Sequence, residues 1–142
     1  MIFWDTSAFI KCYGEIEVDH ARAVNLLDRE QGHKGCVLLK IETISGLVRK
    51  AGSNRALRQT LLTLAEESLR QFDLMPLDES LIELGTRLIL KHSLRAGDSL
   101  HLAAAVQLTR EIGRGKLHFA TADGEQAAAA AAENLKVIRL AL

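Results

Sequence analysis

The sequence predicts an α/β domain with a mainly parallel sheet. Two observations predict it: five short strand candidates alternate with helical stretches along the whole chain, and those stretches can serve as the crossovers that parallel strands need, right-handed as a rule. A chain of 142 residues, 48% of them hydrophobic, fits one domain over 1–142 with a sizeable core.

Met1 to Trp4 is a short apolar run that stops abruptly at Asp5, as a buried N-terminal strand does. Thr6 or Ser7 is placed to cap a short helix reaching Tyr13, which Gly14 ends. Val18 to Gln31 has helical spacing through Ala21, Val24, Leu26 and Leu27, and Gly32 and Gly35 bracket the next turn. Cys36 to Leu38 is the second strand candidate. Ile41, Ile44 and Val48 mark a helix face that ends near Gly52. Ser53 or Asn54 caps the following helix, which runs to about Gln71 on Leu57, Leu61, Leu64 and Leu69. Asp73 to Pro76 is the third strand. Asp78 caps a helix carrying Leu81, Leu84 and Leu88. Gly97 and Asp98 start a helix rich in Leu and Ala, which Gly113 and Gly115 break. Leu117 to Ala120 is the fourth strand, Asp123 opens an alanine-dominated helix, and Lys136 to Leu140 is the last strand. No internal repeat is present, and the run Ala127 to Ala132 is simply strong helix former.

Eighteen basic and eighteen acidic side chains leave the formal net charge at zero, which argues against indiscriminate coating of nucleic acid. Cys12 and Cys36 form no CxxC pattern and are expected to be free thiols in a reducing cytoplasm. The start MIFWDTSAF lacks the basic segment of a secretory signal, and no apolar run is long enough to span a bilayer.

Asp5, Glu42, Asp98 and Asp123 are the candidate functional residues. Each falls where a strand gives way to a helix or in the first turn of a helix, and in open α/β sheets ligands sit beyond the carboxyl ends of the strands. Crowded carboxylates repel one another unless a cation neutralises them. Mg²⁺ or Mn²⁺ suits such a set, because both prefer oxygen ligands. A bound divalent ion can hold a phosphate oxygen and lower the pKa of a water, chemistry suited to phosphodiester hydrolysis. The plainer account of Asp98 and Asp123 is a helix N-cap, and of Glu42 a solvated helix residue. Asp5 is the hardest to explain structurally, since an acid directly after a buried strand is costly unless paired or metal-bound.

Three segments carry a resemblance. They are Phe3-Trp4-Asp5-Thr6-Ser7-Ala8, the stretch Leu94-Arg95-Ala96-Gly97-Asp98-Ser99-Leu100-His101-Leu102-Ala103-Ala104-Ala105, and Phe119-Ala120-Thr121-Ala122-Asp123. Together with Glu42 in Ile41-Glu42-Thr43-Ile44, they resemble PIN-domain nucleases over essentially the whole chain, and the length resembles the VapC-type toxins of toxin–antitoxin pairs. The resemblance implies a three-layer α/β/α sandwich, endoribonuclease activity dependent on Mg²⁺ or Mn²⁺, a small cognate antitoxin and a homodimer. It makes Asp5 and Asp98 the central metal ligands, with Glu42 and Asp123 completing the cluster, and gives Thr6 and Ser7 a supporting role through hydrogen bonds.

Two departures stand out. Gly97 precedes Asp98 and loosens that helix start, and Gly124-Glu125-Gln126 follows Asp123 where a basic residue is often found. Glu125 is expected to be a solvated first-turn acid. His101 shares a helix face with Asp98 and is expected to pack beside the acids rather than ligate. Lys40, Arg49, Lys50, Arg55 and Arg58, with Lys91, His92 and Arg95, form either a basic rim for RNA phosphates or an ordinary solvated surface. The apolar stretch from Val18 to Leu64 exceeds what one sheet face needs and suggests a surface for an antitoxin segment or a second copy. Two other functions compete. One is a non-catalytic PIN-like module that holds RNA or a partner. The other is a haloacid-dehalogenase-type phosphatase, disfavoured because Ser7 stands where its second acid would be.

Overall fold

The computed structural model describes residues 1–14, 18–29 and 32–141. Strands β1 (Ile2–Trp4), β2 (His33–Cys36), β3 (Asp73–Met75), β4 (His118–Thr121) and β5 (Lys136–Arg139) form one sheet in the order β3-β2-β1-β4-β5. Every neighbouring pair is parallel. The first crossover contains α1 (Thr6–Phe9), a 3-10 turn (Ile10–Cys12) and α2 (His20–Arg29). Next come α3 (Leu38–Ala51) and α4 (Arg55–Leu69), then α5 (Glu79–His92) and α6 (Ala96–Ile112), and finally α7 (Gly124–Ala132).

The pleat of β1 distributes its side chains between two cores. Ile2 and Trp4 pack with Phe9, Leu39, Leu47 and Leu61 on the α1–α4 face. Phe3 packs with Leu81, Leu84, Leu102 and Phe119 on the α5–α7 face. Both faces of the sheet are thus covered, which is the α/β/α sandwich and the reason β1 is buried along its whole length. Strands β2 and β3 were added to one side of β1, and β4 and β5 to the other. The strand order therefore reverses between β1 and β4, the place where such sheets open a crevice at their carboxyl edge.

Several boundaries differ from the sequence expectation. The second strand is His33–Cys36 rather than Cys36–Leu38, because Val37 is already the N-cap of α3 and Leu38 its first residue. Gly35 lies inside that strand, and a Cβ there would meet the Leu39 side chain at 2.9 Å and that of Leu74 at 3.3 Å. The buried stripe of α3 is Leu39, Thr43, Leu47 and Ala51, not Ile41, Ile44 and Val48; Ile41 is 65% exposed. Neither Thr6 nor Ser7 caps α1, whose N-cap position is Asp5 with no side-chain cap bond. α2 starts at His20, and the expected end of that helix at 30–31 lies outside the described residues. Asn54, Asp78 and Asp123 do cap their helices, each accepting the backbone N–H three residues on. Cys12 and Cys36 are both free and buried. No described helix is long and apolar enough to cross a membrane.

Candidate functional site

Asp5 leaves the carboxyl end of β1 with its backbone still in the sheet, donating its N–H to the Ala120 carbonyl at 2.9 Å. Its side chain is buried, 2% exposed. Two hydroxyls converge on the same oxygen, Oδ2: Ser7 Oγ donates at 2.7 Å and Thr121 Oγ1 at 2.8 Å. Each hydroxyl also accepts a backbone N–H from the β4–α7 connection. Ala122 N donates to Ser7 Oγ at 2.9 Å, and Asp123 N donates to Thr121 Oγ1 at 3.1 Å. One carboxylate oxygen thus organises the turn that carries Asp123, and Oδ1 lies outside that pair of bonds.

Glu42 comes from the first turns of α3. Thr6 Oγ1 donates to its Oε1 at 2.9 Å, and His101 Nε2 bonds the same oxygen. The hydrogen bond from His101 outweighs partial burial and holds the Glu42 carboxyl below its usual range. His101 is itself 1% exposed. Burial works against its charge, but the bond to Glu42 and the negative charges of Asp5, Glu42 and Asp98 outweigh it and raise its pKa. The two shifts share one cause, the bond between His101 and Glu42, which favours the charged form of each. The other oxygen, Oε2, lies 3.0 Å from where a Cβ on Gly97 would be. The small residue ahead of Asp98 therefore makes room for the Glu42 carboxylate against the start of α6.

Asp98 sits in the first turn of α6, whose N-cap position is Arg95, so the carboxylate is not a cap. Burial first, then the charges of Asp5, Asp123 and Glu42, push its pKa up to about 6, while His101 pulls the other way. Asp123 is an N-cap, and its Oδ1 accepts the Gln126 N–H at 2.9 Å. Gln126 is fully buried, and its side-chain Nε2 donates to the Asp98 carbonyl at 2.7 Å, locking the start of α7 against the start of α6.

The four acids, Thr6 and Ser7 thus lie along the carboxyl edge of the sheet around β1 and β4, near enough for three of the acids to perturb the fourth. Among the described residues, no group of three or more His, Cys, Asp or Glu side chains stands ready-made as a metal cage. The donor chemistry nevertheless suits a hard divalent cation. The acids supply oxygen only, and burial together with the charges of Asp5, Asp123 and Glu42 disfavours the Asp98 carboxylate in a way that a bound cation would offset. Sequence reasoning missed Thr121 and Gln126. Thr121 reads as the last residue of a strand, and its partner Ser7 is 114 positions away; Gln126 reads as a helix residue among alanines.

The chain belongs to the PIN domain family, whose model matches residues 2–132. No curated protein matches the chain significantly. Solved structures share the fold at low identity. FitAcB from Neisseria gonorrhoeae is 20% identical with a TM-score of 0.69, over 97% of this chain and 96% of that one. VapBC2 from Rickettsia felis, bound to a DNA fragment from its promoter, is 12% identical with a TM-score of 0.68, over 99% of both chains. A toxin–antitoxin complex from Klebsiella pneumoniae is 18% identical with a TM-score of 0.63, over 90% of this chain and 91% of that one.

Proposed function

We propose that the chain, as one domain over 1–142, is a metal-dependent endoribonuclease of the cytoplasm and the toxin of a type II toxin–antitoxin pair. The observation that carries the nuclease part is the placement of Asp5, Glu42, Asp98 and Asp123 along one sheet edge, close enough that burial and then the charges of the other three raise the Asp98 pKa to about 6. Membership of the PIN family supports hydrolysis of RNA, and the toxin–antitoxin structures that share the fold support an antitoxin partner.

Asp5 and Asp98 would be the central ligands of Mg²⁺ or Mn²⁺, with Glu42 and Asp123 completing the set. The ion would supply Lewis-acid help to the phosphate and a water of lowered pKa. The chain's own residues prepare that site. Ser7 and Thr121 fix the Asp5 carboxylate through Oδ2. His101 and Thr6 fix Glu42 and keep it ionised. Gln126 fixes the two helix starts that carry Asp98 and Asp123. Groups locked this way lose little freedom when substrate binds, which is what positioning contributes to rate.

Exposed Ile41 borders an open groove shared with Thr6, Glu42 and Arg49, and this supports a seat for an antitoxin segment beside the site. A homodimer belongs to the same proposal. A non-catalytic PIN-like module is the second reading, and the engagement of Glu42 Oε1 by both Thr6 and His101 favours it. Incubating the purified chain with RNA and Mn²⁺ separates the two. Cleavage that stops in excess EDTA and in Asp5→Asn supports the nuclease. Binding without cleavage, or cleavage untouched by either change, refutes it.

A further inference from the structure

The family pattern expected a basic residue after Asp123, and this chain has Gly124 there. The structure brings a cation to the same spot from another strand. Arg139 ends β5 and pairs in register with Thr121, so it stands one strand beyond the acids on the same carboxyl edge of the sheet. Along β5, Val137 packs on the α5–α7 core and Ile138 on the opposite one, so alternation turns Arg139 toward α7. Its guanidinium lies across Gly124, with Nη2 3.3 Å and Cζ 3.9 Å from where a Cβ would be. Glycine at this position leaves the room that the guanidinium occupies beside Asp123.

The end of the strand is pinned in place. Arg22 Nη1 donates to the Arg139 carbonyl at 2.9 Å, Asp19 Oδ2 accepts the Ala141 N–H at 2.7 Å, and Leu140 is fully buried. Yet none of the ion pairs among the described residues uses the Arg139 guanidinium, although Asp123 is close in the chain to the residue it covers. A fixed backbone carrying an exposed arginine with no carboxylate partner among the described residues, at the rim of an acidic centre, has the character of an anion contact.

We propose that Arg139 binds the RNA backbone on the Asp123 side of the site, at a phosphate next to the scissile one. This rests on the nuclease reading above. The contact is to phosphate and not to a base, so it contributes affinity and register without sequence preference. It also supplies positive charge on an edge where four acids would otherwise repel the substrate.

The test uses fluorescence anisotropy of a short labelled single-stranded RNA in Mn²⁺, in an Asp5→Asn background to prevent cleavage, beside steady-state cleavage in the otherwise unchanged protein. Arg139→Gln should weaken binding about fivefold to tenfold, equally for U-rich and A-rich RNA, and should lower the slope of log affinity against log salt by about 0.7. KM should rise with kcat nearly unchanged, and Arg139→Lys should restore most of the loss. Arg114→Gln, in the turn before β4 at the opposite edge, should change nothing. Unchanged binding in Arg139→Gln, or an equal loss in Arg114→Gln, overturns the proposal. If the unchanged protein cleaves RNA and Arg139→Gln binds normally, only this inference falls. If the unchanged protein neither cleaves nor binds RNA, the nuclease reading falls and takes this one with it.

Discussion

Gly97→Ala gives a sharp prediction because it should move stability and activity in opposite directions. Gly97 is the second residue of α6, and its backbone is not in the left-handed region, so alanine fits the helix. Replacing glycine by alanine inside a helix stabilises by roughly 0.5–1 kcal/mol. For a domain of this size that is a rise in Tm of about 2–4 °C. The new Cβ, however, lies 3.0 Å from Glu42 Oε2, a few tenths of an ångström inside ordinary contact. Glu42 must shift by about that amount, against the anchors from Thr6 and His101. Misplacing a catalytic group by about 1 Å can cost roughly a hundredfold, so a shift of a few tenths should cost about threefold to tenfold in kcat/KM. Thermal unfolding followed by cleavage kinetics on the same preparation measures both. A variant that is more stable and fully active would refute the idea that Glu42 is held against the start of α6 for a purpose. A variant that is less stable would refute the expectation that the helix gain exceeds the cost of displacing Glu42.

Further predictions concern the acids and their supports. Asp98→Asn should abolish cleavage while leaving the circular dichroism spectrum unchanged. Without metal, the raised Asp98 pKa means that the folded protein binds more protons than the unfolded chain between pH 3.8 and about 6, so this carboxyl's contribution to stability falls as pH rises through that window. In EDTA, the Tm difference between Asp98→Asn and the unchanged protein should therefore grow in favour of the variant from pH 4 to pH 6.5, and Mn²⁺ should remove that advantage; a difference that stays constant with pH would contradict the crowding. Thr121→Val keeps the shape but strands the Asp5 Oδ2 contact and the Asp123 N–H, at a cost of about 1–3 kcal/mol, read by urea denaturation. His101→Gln should leave Glu42 easier to protonate, lower kcat/KM about tenfold and shift the acidic limb of its pH profile upward; an unmoved limb would show that His101 only fills space.

Much of the fold was legible because its strongest signals are local. The apolar run ending at Asp5, the caps at Asn54, Asp78 and Asp123, and the glycines after α6 each act within a few residues. The second strand was misplaced because its side chains answer to distant partners. His33 Nδ1 accepts the Trp4 Nε1–H at 3.0 Å, and Gly35 is small for Leu39 and Leu74. Its composition, His-Lys-Gly-Cys, therefore carries no strand signal of its own. The buried face of α3 was misread because Thr43 occupies the stripe while Ile41 faces out. At the site, the four candidate acids stand out in the sequence by their places after strands or at helix starts, but the groups that hold them do not. Thr121 and Ser7 meet across 114 positions and Thr6 and Glu42 across 36, and no local pattern encodes such a meeting. The glycines at 97 and 124 looked like departures from a pattern; the structure gives each a side chain to accommodate, Glu42 and Arg139.

The most direct question is whether the four carboxylates hold a divalent ion. Crystals soaked in Mn²⁺ and measured near the manganese absorption edge would answer it. An anomalous peak is expected at the carboxyl edge of the sheet between Asp5 and Asp98, at roughly 2.1 Å from an oxygen of each, absent from crystals of Asp5→Asn. A peak bound elsewhere, or none at a Mn²⁺ concentration that supports cleavage, would contradict it.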